Sequence, residues 1–427
     1  MIEHSGEIRH RAVAAATVGN ILEIYDFIAY GIFAVPISHT FFPVNSDFAA
    51  LMLTFLTFAA GFLARPLGAL VLGRYADSAG RKNALSLTLI LMAVGTLILA
   101  GCPSYASIGW AAPAIMVAGR LLQGFSAGGE IGGTVAMLVE NADSSNRGLY
   151  GSFQQMSQGA GVLLAAVIGL VLSSLFTDAQ IAGGAWRYAF LVGLLIAPVG
   201  WYIRRSIPET PEFEESEHQP LDVWTRNLVT YRSSLFLGVA VMVFWTIATY
   251  VSNYFTTYAT RELHLSMLES FLGQTAYAVT LIVASPLIGA LSDRIGPRKP
   301  MLFGAGVCAV LGYPLFWYLG RNPSVQGLIL VQSVVSFLLA CYAACASRVM
   351  ADIFPTAFRA TGVGLAYAVG VTIFGGFTPL AVTGLIQVTG DKLVVGLYLS
   401  CAAIVSLVAL ILLYSPKRQA DALPKTA

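Results

Sequence analysis

The chain has 427 residues, of which 57% are hydrophobic and 11% charged, with a net charge of +2 and a mean hydropathy of +0.74. An average soluble protein carries roughly 25% charged residues, so a water-soluble globule is excluded and lipid must be the solvent for much of the surface. The near-neutral charge leaves no footprint for nucleic acid, and five cysteines in or near apolar runs, without metal-ligand spacing, read as packing residues.

Apolar runs of about 20 residues predict twelve spans, at 12–38, 48–73, 84–101, 113–139, 148–175, 187–203, 234–258, 268–291, 301–319, 327–352, 360–388 and 394–414. The first is read as a retained span, because no small-residue cleavage site follows it. Most connections are short, which makes successive helices neighbours. The exception is 204–233, from Arg204-Arg205 through Pro208, Pro211 and a Glu-rich stretch. This predicts a bundle over 1–203, a linker over 204–233, and a second bundle with a short tail over 234–427. With the N-terminus inside, the cytoplasmic segments hold 17 of the 24 basic residues and the outer segments four. That bias predicts a multi-pass protein of the inner (plasma) membrane with both termini cytoplasmic.

Two short hooks end apolar runs. One reads Gly73-Arg74-Tyr75-Ala76-Asp77-Ser78-Ala79-Gly80-Arg81-Lys82; the other reads Gly289-Ala290-Leu291-Ser292-Asp293-Arg294-Ile295-Gly296-Pro297-Arg298-Lys299. Gly, Asp and Gly recur 216 residues apart, about half the chain. Glu140 and Arg147 likewise match Asp352 and Arg359 at an offset of 212. Two landmarks at nearly one offset mark an internal duplication. The glycines suggest tight bends, the Asp a helix N-terminus or a cation, and the basic residues a cytoplasmic face.

Ionisable side chains inside spans are functional suspects, and six lie away from the span ends: Glu23, Asp26, Arg65, Arg120, Glu130 and Arg348. In the first span Asn20, Glu23 and Asp26 recur every third residue and share a face that Tyr30 extends. Two carboxylates so close repel, which suits proton exchange; an acid pair held by backbone donors or a neighbouring basic residue is the competing reading. In the fourth span Arg120, Gln123, Ala127 and Glu130 share a face, while Gly124, Gly128 and Gly132 form an edge that admits another helix. The planar fork of Arg120 suits a carboxylate, against the alternative of a structural ion pair. Glu130 is the strongest candidate for the coupling proton.

The fifth span begins with Ser152, Gln154, Gln155, Ser157 and Gln158, too polar to face lipid. In the seventh, Thr246, Tyr250, Asn253 and Thr257 share a face fit for a cavity wall. Arg348 lies one turn before Asp352; it either snorkels to the interface or pairs with Asp352 or Asp293, or supplies a second carboxylate anchor. Gly375-Gly376-Phe377-Thr378-Pro379 is a helix breaker in the eleventh span.

The hooks resemble the signature cytoplasmic loops of the major facilitator superfamily, the first departing at Ser78, where Arg is usual. Within it, Gly19-Asn20-x-x-Glu23-x-x-Asp26-Phe27, Arg65-Pro66-Leu67-Gly68-Ala69, the Arg120-to-Glu130 run and Phe374-Gly375-Gly376-x-x-Pro379 are similar to the metabolite–proton symporters. Residues 48–73, Phe377-Thr378-Pro379 and Thr389-Gly390-Asp391-Lys392 resemble their citrate and tricarballylate branch. The resemblance implies an all-α membrane protein, two pseudo-symmetric six-helix bundles around a central cavity, working by alternating access.

The function this predicts is proton-coupled uptake of a small organic anion, a di- or tricarboxylate such as citrate. Asn20, Tyr30, Arg120, Gln123, Gln158, Tyr250, Asn253 and Arg348 are the expected substrate contacts, and Glu23, Asp26 and Glu130 the proton carriers. Gly73, Asp77, Gly80, Arg81, Gly289, Asp293, Arg294 and Gly296 would serve the conformational switch. No metal or cofactor is expected; a proton or sodium gradient drives the cycle, in a monomer whose partners are lipid and solute, with no nucleic acid. A symporter of a zwitterion such as betaine or proline is the alternative. An enzyme or sensor is disfavoured, because nothing clusters as a nucleophile, base or metal site.

Overall fold

A backbone in lipid must satisfy its N–H and C=O groups within its own segment, so the apolar runs fold as helices. The computed structural model describes residues 2–44, 46–79, 81–128, 145–206, 229–354 and 359–415. The first half comprises α1 (Ile2–Ile32), α2 (Ala34–Phe41), α3 (Asp47–Leu63), α4 (Arg65–Ala79), α5 (Arg81–Gly101), α6 (Tyr105–Ile108) and α7 (Ala111–Gly128), then α8 (Arg147–Leu175), α9 (Asp178–Gln180), α10 (Arg187–Gly193) and α11 (Ile196–Ser206). The second comprises α12 (Arg232–Arg261), α13 (Met267–Ile295), α14 (Arg298–Arg321), α15 (Val325–Ile353), α16 (Arg359–Gly370), α17 (Thr378–Thr389) and α18 (Val394–Leu413).

Among the described residues eight helices are long and apolar enough to cross a membrane, and ten if each of two bent pairs is one span. The bent pairs are α1 with α2, at 65°, and the Asp178–Ala185 helix with Arg187–Val199, at 56°. The two remaining predicted spans fall on the shorter apolar helix Ser86–Gly101 and on α7.

Glycines decide how closely the helices pack. A Cβ on Gly124 of α7 would lie 1.5 Å from the Gly61 carbonyl oxygen of α3, and one on Gly128 would lie 2.0 Å from that of Arg65. Backbone therefore rests on backbone along the glycine edge read from the sequence. Across the halves, α8 and α13 run antiparallel in contact along their length. Gly148 meets Gly289 and Ser292, Gly159 meets Leu281 and Ile282, and Gly169 meets the Phe271 ring.

The hooks differ from the expectation of glycine bends. Gly73 and Asp77 lie within α4, and Gly289, Asp293 and Arg294 lie within α13. Gly289 instead makes room, since a Cβ there would meet Ser152 Oγ at 2.5 Å. The bend falls to Gly296, whose φ of 84° is a conformation open to glycine. The eleventh span is interrupted by a π-helical turn, Val371–Gly376, and resumes at Thr378 with Pro379 in its first turn.

Candidate functional site

The polar face of α1 divides among four neighbouring helices. Asn20 Nδ2 donates to Ser157 Oγ of α8 at 2.6 Å. One oxygen of Asp26, Oδ2, accepts from both Thr96 Oγ1 of α5 and Gln123 Nε2 of α7. Tyr30 donates to the Thr54 carbonyl of α3 at 3.3 Å and stacks on Phe58. Glu23 and Asp26 are each 1% exposed.

Gln123 joins the acid to a base. Its Nε2 reaches Asp26 and Thr96 Oγ1, the latter at 3.0 Å, while its Oε1 accepts from Arg120 Nη1 at 2.8 Å. Arg120 is 0% exposed, with its guanidinium carbon 4.8 Å from the Phe27 ring centre, 4.6 Å from Tyr30 and 5.0 Å from Phe58. Arg65 lies 4.4 Å from both the Phe27 and Phe62 ring centres. Two buried cations thus flank one phenylalanine, each held by ring faces that attract positive charge. Arg120 Nε and Nη2 and Arg65 Nε have no hydrogen-bond acceptor among the described residues. A buried charged donor left unsatisfied is costly, so these atoms are poised to take an acceptor.

A cavity lies beside this cage, between the halves. Ile24, Phe27, Ile28 and Gln158 line it from one side; Trp245, Tyr250, Asn253, Tyr277 and Tyr367 line it from the other. Thr246 and Thr249 add hydroxyls on the α12 wall. Its volume, counted as the space open to the centre of a water molecule, is 20 Å³, room for about one water. Tyr250 packs edge-on against Phe62 at 5.2 Å and Phe58 at 6.0 Å, tying α12 to α3 beside the cavity. Gln158 Nε2 and Asn253 Oδ1 carry no hydrogen bond to a described residue. Arg65, Arg120 and Glu23 all lie within electrostatic reach of Tyr250.

Contacts join the two halves at both ends of the interface. At one, Phe33 meets Phe271 at 5.8 Å and Phe55 meets Tyr254 at 5.8 Å. At the hook end, Asp293 Oδ1 and Oδ2 accept the Gly148 and Leu149 backbone N–H groups at 2.7 and 3.0 Å. Arg348 Nη1 pairs with Asp293 Oδ1 at 3.2 Å, so in this conformation it is away from the cavity. Arg294 is exposed in the last turn of α13. Glu130 and Gly80 lie outside the described residues, as do the side chains of Asp77 and Arg81.

A cavity lined from both halves, beside buried charges, is a carrier's geometry, and relatives agree. The model for the Major Facilitator Superfamily matches residues 239–427, and that for "Sugar (and other) transporter" matches 12–219. The chain is 38% identical to a citrate-proton symporter of Klebsiella pneumoniae, over 99% of this chain and 95% of that protein. The chain belongs to the major facilitator superfamily. An alpha-ketoglutarate permease of Escherichia coli is 34% identical over 87% of each chain, and a protein of Staphylococcus aureus named for proline/betaine transport is 31% identical over 95% of this chain and 88% of its own. Among solved structures, the xylose transporter XylE of E. coli in a partially occluded inward-open conformation overlays with a TM-score of 0.77 at 17% identity, covering 96% of this chain and 98% of that one. That likeness carries the fold. This major facilitator protein is therefore a twelve-helix, two-bundle membrane transporter rather than an enzyme.

Sequence reasoning missed several parts of the site. Thr96 is one hydroxyl in an apolar run, Phe58 and Phe62 resemble lipid-facing residues, and Trp245, Tyr277 and Tyr367 carry no motif. The arginine pair around Phe27 had a signal in the two in-span cations, but no spacing could bring α4 and α7 together.

Proposed function

We propose that this transporter is a proton-coupled symporter of an organic anion, a di- or tricarboxylate such as citrate. The observation that carries this reading is the pair of buried arginines around Phe27, with guanidinium donors uncommitted beside the cavity. Those two cations are opposed by two buried carboxylates, Glu23 and Asp26. A multivalent anion entering this neutral set would meet two negative charges at low dielectric. Protons on the carboxylates remove that opposition and leave the arginines to the substrate, so anion and proton bind together. Symport follows from the charge balance. The relatives named as citrate-proton symporters support the same substrate class.

The carrier closes around its solute and reopens on the other side. The distribution of basic residues supports an N-terminus and hook end on the cytoplasmic side of the inner membrane, and a monomer suffices for a cavity formed within one chain. A second reading has its own observation: Trp245, Tyr250, Tyr277 and Tyr367 give the cavity ring faces suited to a quaternary ammonium such as betaine. Uptake by the purified protein in proteoliposomes separates the two. Labelled citrate should accumulate under an inward acid gradient and cease with a protonophore; accumulation of betaine or proline in its place overturns the anion reading.

A further inference from the structure

Arg65 is followed by Pro66, and a proline brings no N–H to its helix. The carbonyl four residues back is that of Phe62, so this oxygen loses its helical donor at the break between α3 and α4. Ala64 N–H reaches it from two residues on, the spacing of a γ-turn rather than of a helix. Phe62 is fully buried, and a buried carbonyl short of a donor is costly.

The donor comes from the opposite half. Thr372 Oγ1, in the π-helical turn of the eleventh span, donates to the Phe62 carbonyl at 2.8 Å. Threonines in helices ordinarily bond a carbonyl of their own preceding turn, as Thr54, Thr249 and Thr280 do. Thr372 instead crosses between the halves. The glycines that follow it permit the approach. A Cβ on Gly376 would lie 2.6 Å from the Phe62 ring, and one on Gly375 would lie 2.6 Å from the Tyr250 ring. Two interrupted spans, one from each half, thus complete one another, and irregular backbone at membrane depth persists where protein satisfies it. Phe62 carries the consequence to the site. Its ring centre lies 4.4 Å from the Arg65 guanidinium carbon and 5.2 Å from the Tyr250 ring.

We infer that Thr372 is a positioning residue for Arg65. By supplying the donor that Pro66 lacks, it fixes the end of α3, and with it the Phe62 face on which the guanidinium rests. The inference rests on the anion reading and adds a device that aims one cation at the solute. Because donor and acceptor belong to different halves, the bond exists when the halves meet at this point. When they part, the Phe62 carbonyl loses its partner and the support of Arg65 loosens, so closure and tight anion binding come together.

Thr372→Val keeps the shape of the side chain and removes the donor. The dissociation constant for citrate, by calorimetry on the purified protein in detergent, should rise about tenfold. Thr372→Ser keeps the hydroxyl and should stay within twofold of the wild type. Two backgrounds separate this role from loosened packing. Pro66→Ala returns an N–H to the helix, so Thr372→Val added to it should cost less than twofold. Added to Arg65→Gln it should also cost less than twofold, because the two residues act through one path. A valine variant that binds citrate as the wild type does, a serine variant as weak as the valine one, or a full tenfold loss in either background overturns the inference. Wild-type protein that binds no citrate overturns the anion reading and this inference with it, whereas unchanged binding by the valine variant overturns this inference alone.

Discussion

Asp293 caps a helix of the opposite half: its Oδ1 accepts the Gly148 N–H of α8 at 2.7 Å, one residue into the first turn. Leu149 N–H fills the second oxygen at 3.0 Å. The negative charge sits where helix N–H groups converge and the helix dipole favours an anion. Because the two groups belong to different halves, the contact exists when the hook end is closed.

Asp293→Asn should therefore loosen that end. Replacing the charge-assisted bonds with neutral ones costs about 1–2 kcal/mol, roughly a tenfold shift toward the open hook end. Cysteine pairs placed across α8 and α13 should cross-link more slowly, and transport should slow while substrate affinity stays within a few-fold. A loss of binding as large as the loss of transport counts against a gating role.

Gly124→Ala should prevent folding. Its methyl would overlap the Gly61 carbonyl oxygen, at 1.5 Å, and that neighbour is backbone that cannot swing aside. The cost exceeds the roughly 4–5 kcal/mol that marks exceptional substitutions. Gly306→Ala, with nothing within 4 Å of its added methyl, should be tolerated. Monodispersity on size-exclusion chromatography in detergent should separate the two.

Arg120→Lys should cost most of the affinity for a carboxylate solute although it keeps the charge. The planar guanidinium donates to Gln123 and lies against three rings at once, and a lysine ammonium reproduces neither the plane nor the fork. A rise in Kd of tenfold or more for citrate is expected by calorimetry. Affinity unchanged within twofold would make Arg120 an architectural cation.

Much of this architecture was legible because lipid imposes a long, simple pattern. The duplicated hooks, the in-span charges and the Gly124–Gly128 edge needed no tertiary knowledge. The glycines of the hook misled, because Gly289 inside a helix and Gly296 at its end look alike in sequence; what separates them is whether another helix crosses. The α1 stripe was readable as one face, yet its members serve four different neighbours, since a helix face wider than one contact meets more than one partner. The aromatic cage was illegible for a related reason. Phe27, Phe58 and Phe62 are common residues of any span, and their role comes from α4 and α7 bringing cations to them.

Arg348 separates two roles that one residue type can play. Its guanidinium lies 3.2 Å from Asp293 Oδ1 and its side chain is 24% exposed, against 9% for its partner. A partly exposed pair contributes about 0.5–1 kcal/mol, which here helps orient the carboxylate that caps α8. Arg348→Gln should accordingly slow transport in the same way as Asp293→Asn, by a smaller factor. The double variant should be little slower than Asp293→Asn alone, because residues acting through one contact are not additive. Affinities for tricarboxylate and monocarboxylate solutes should change together, within twofold of each other. A selective loss of tricarboxylate binding, tenfold or more, would instead make Arg348 a substrate anchor that leaves Asp293 when the hook end opens.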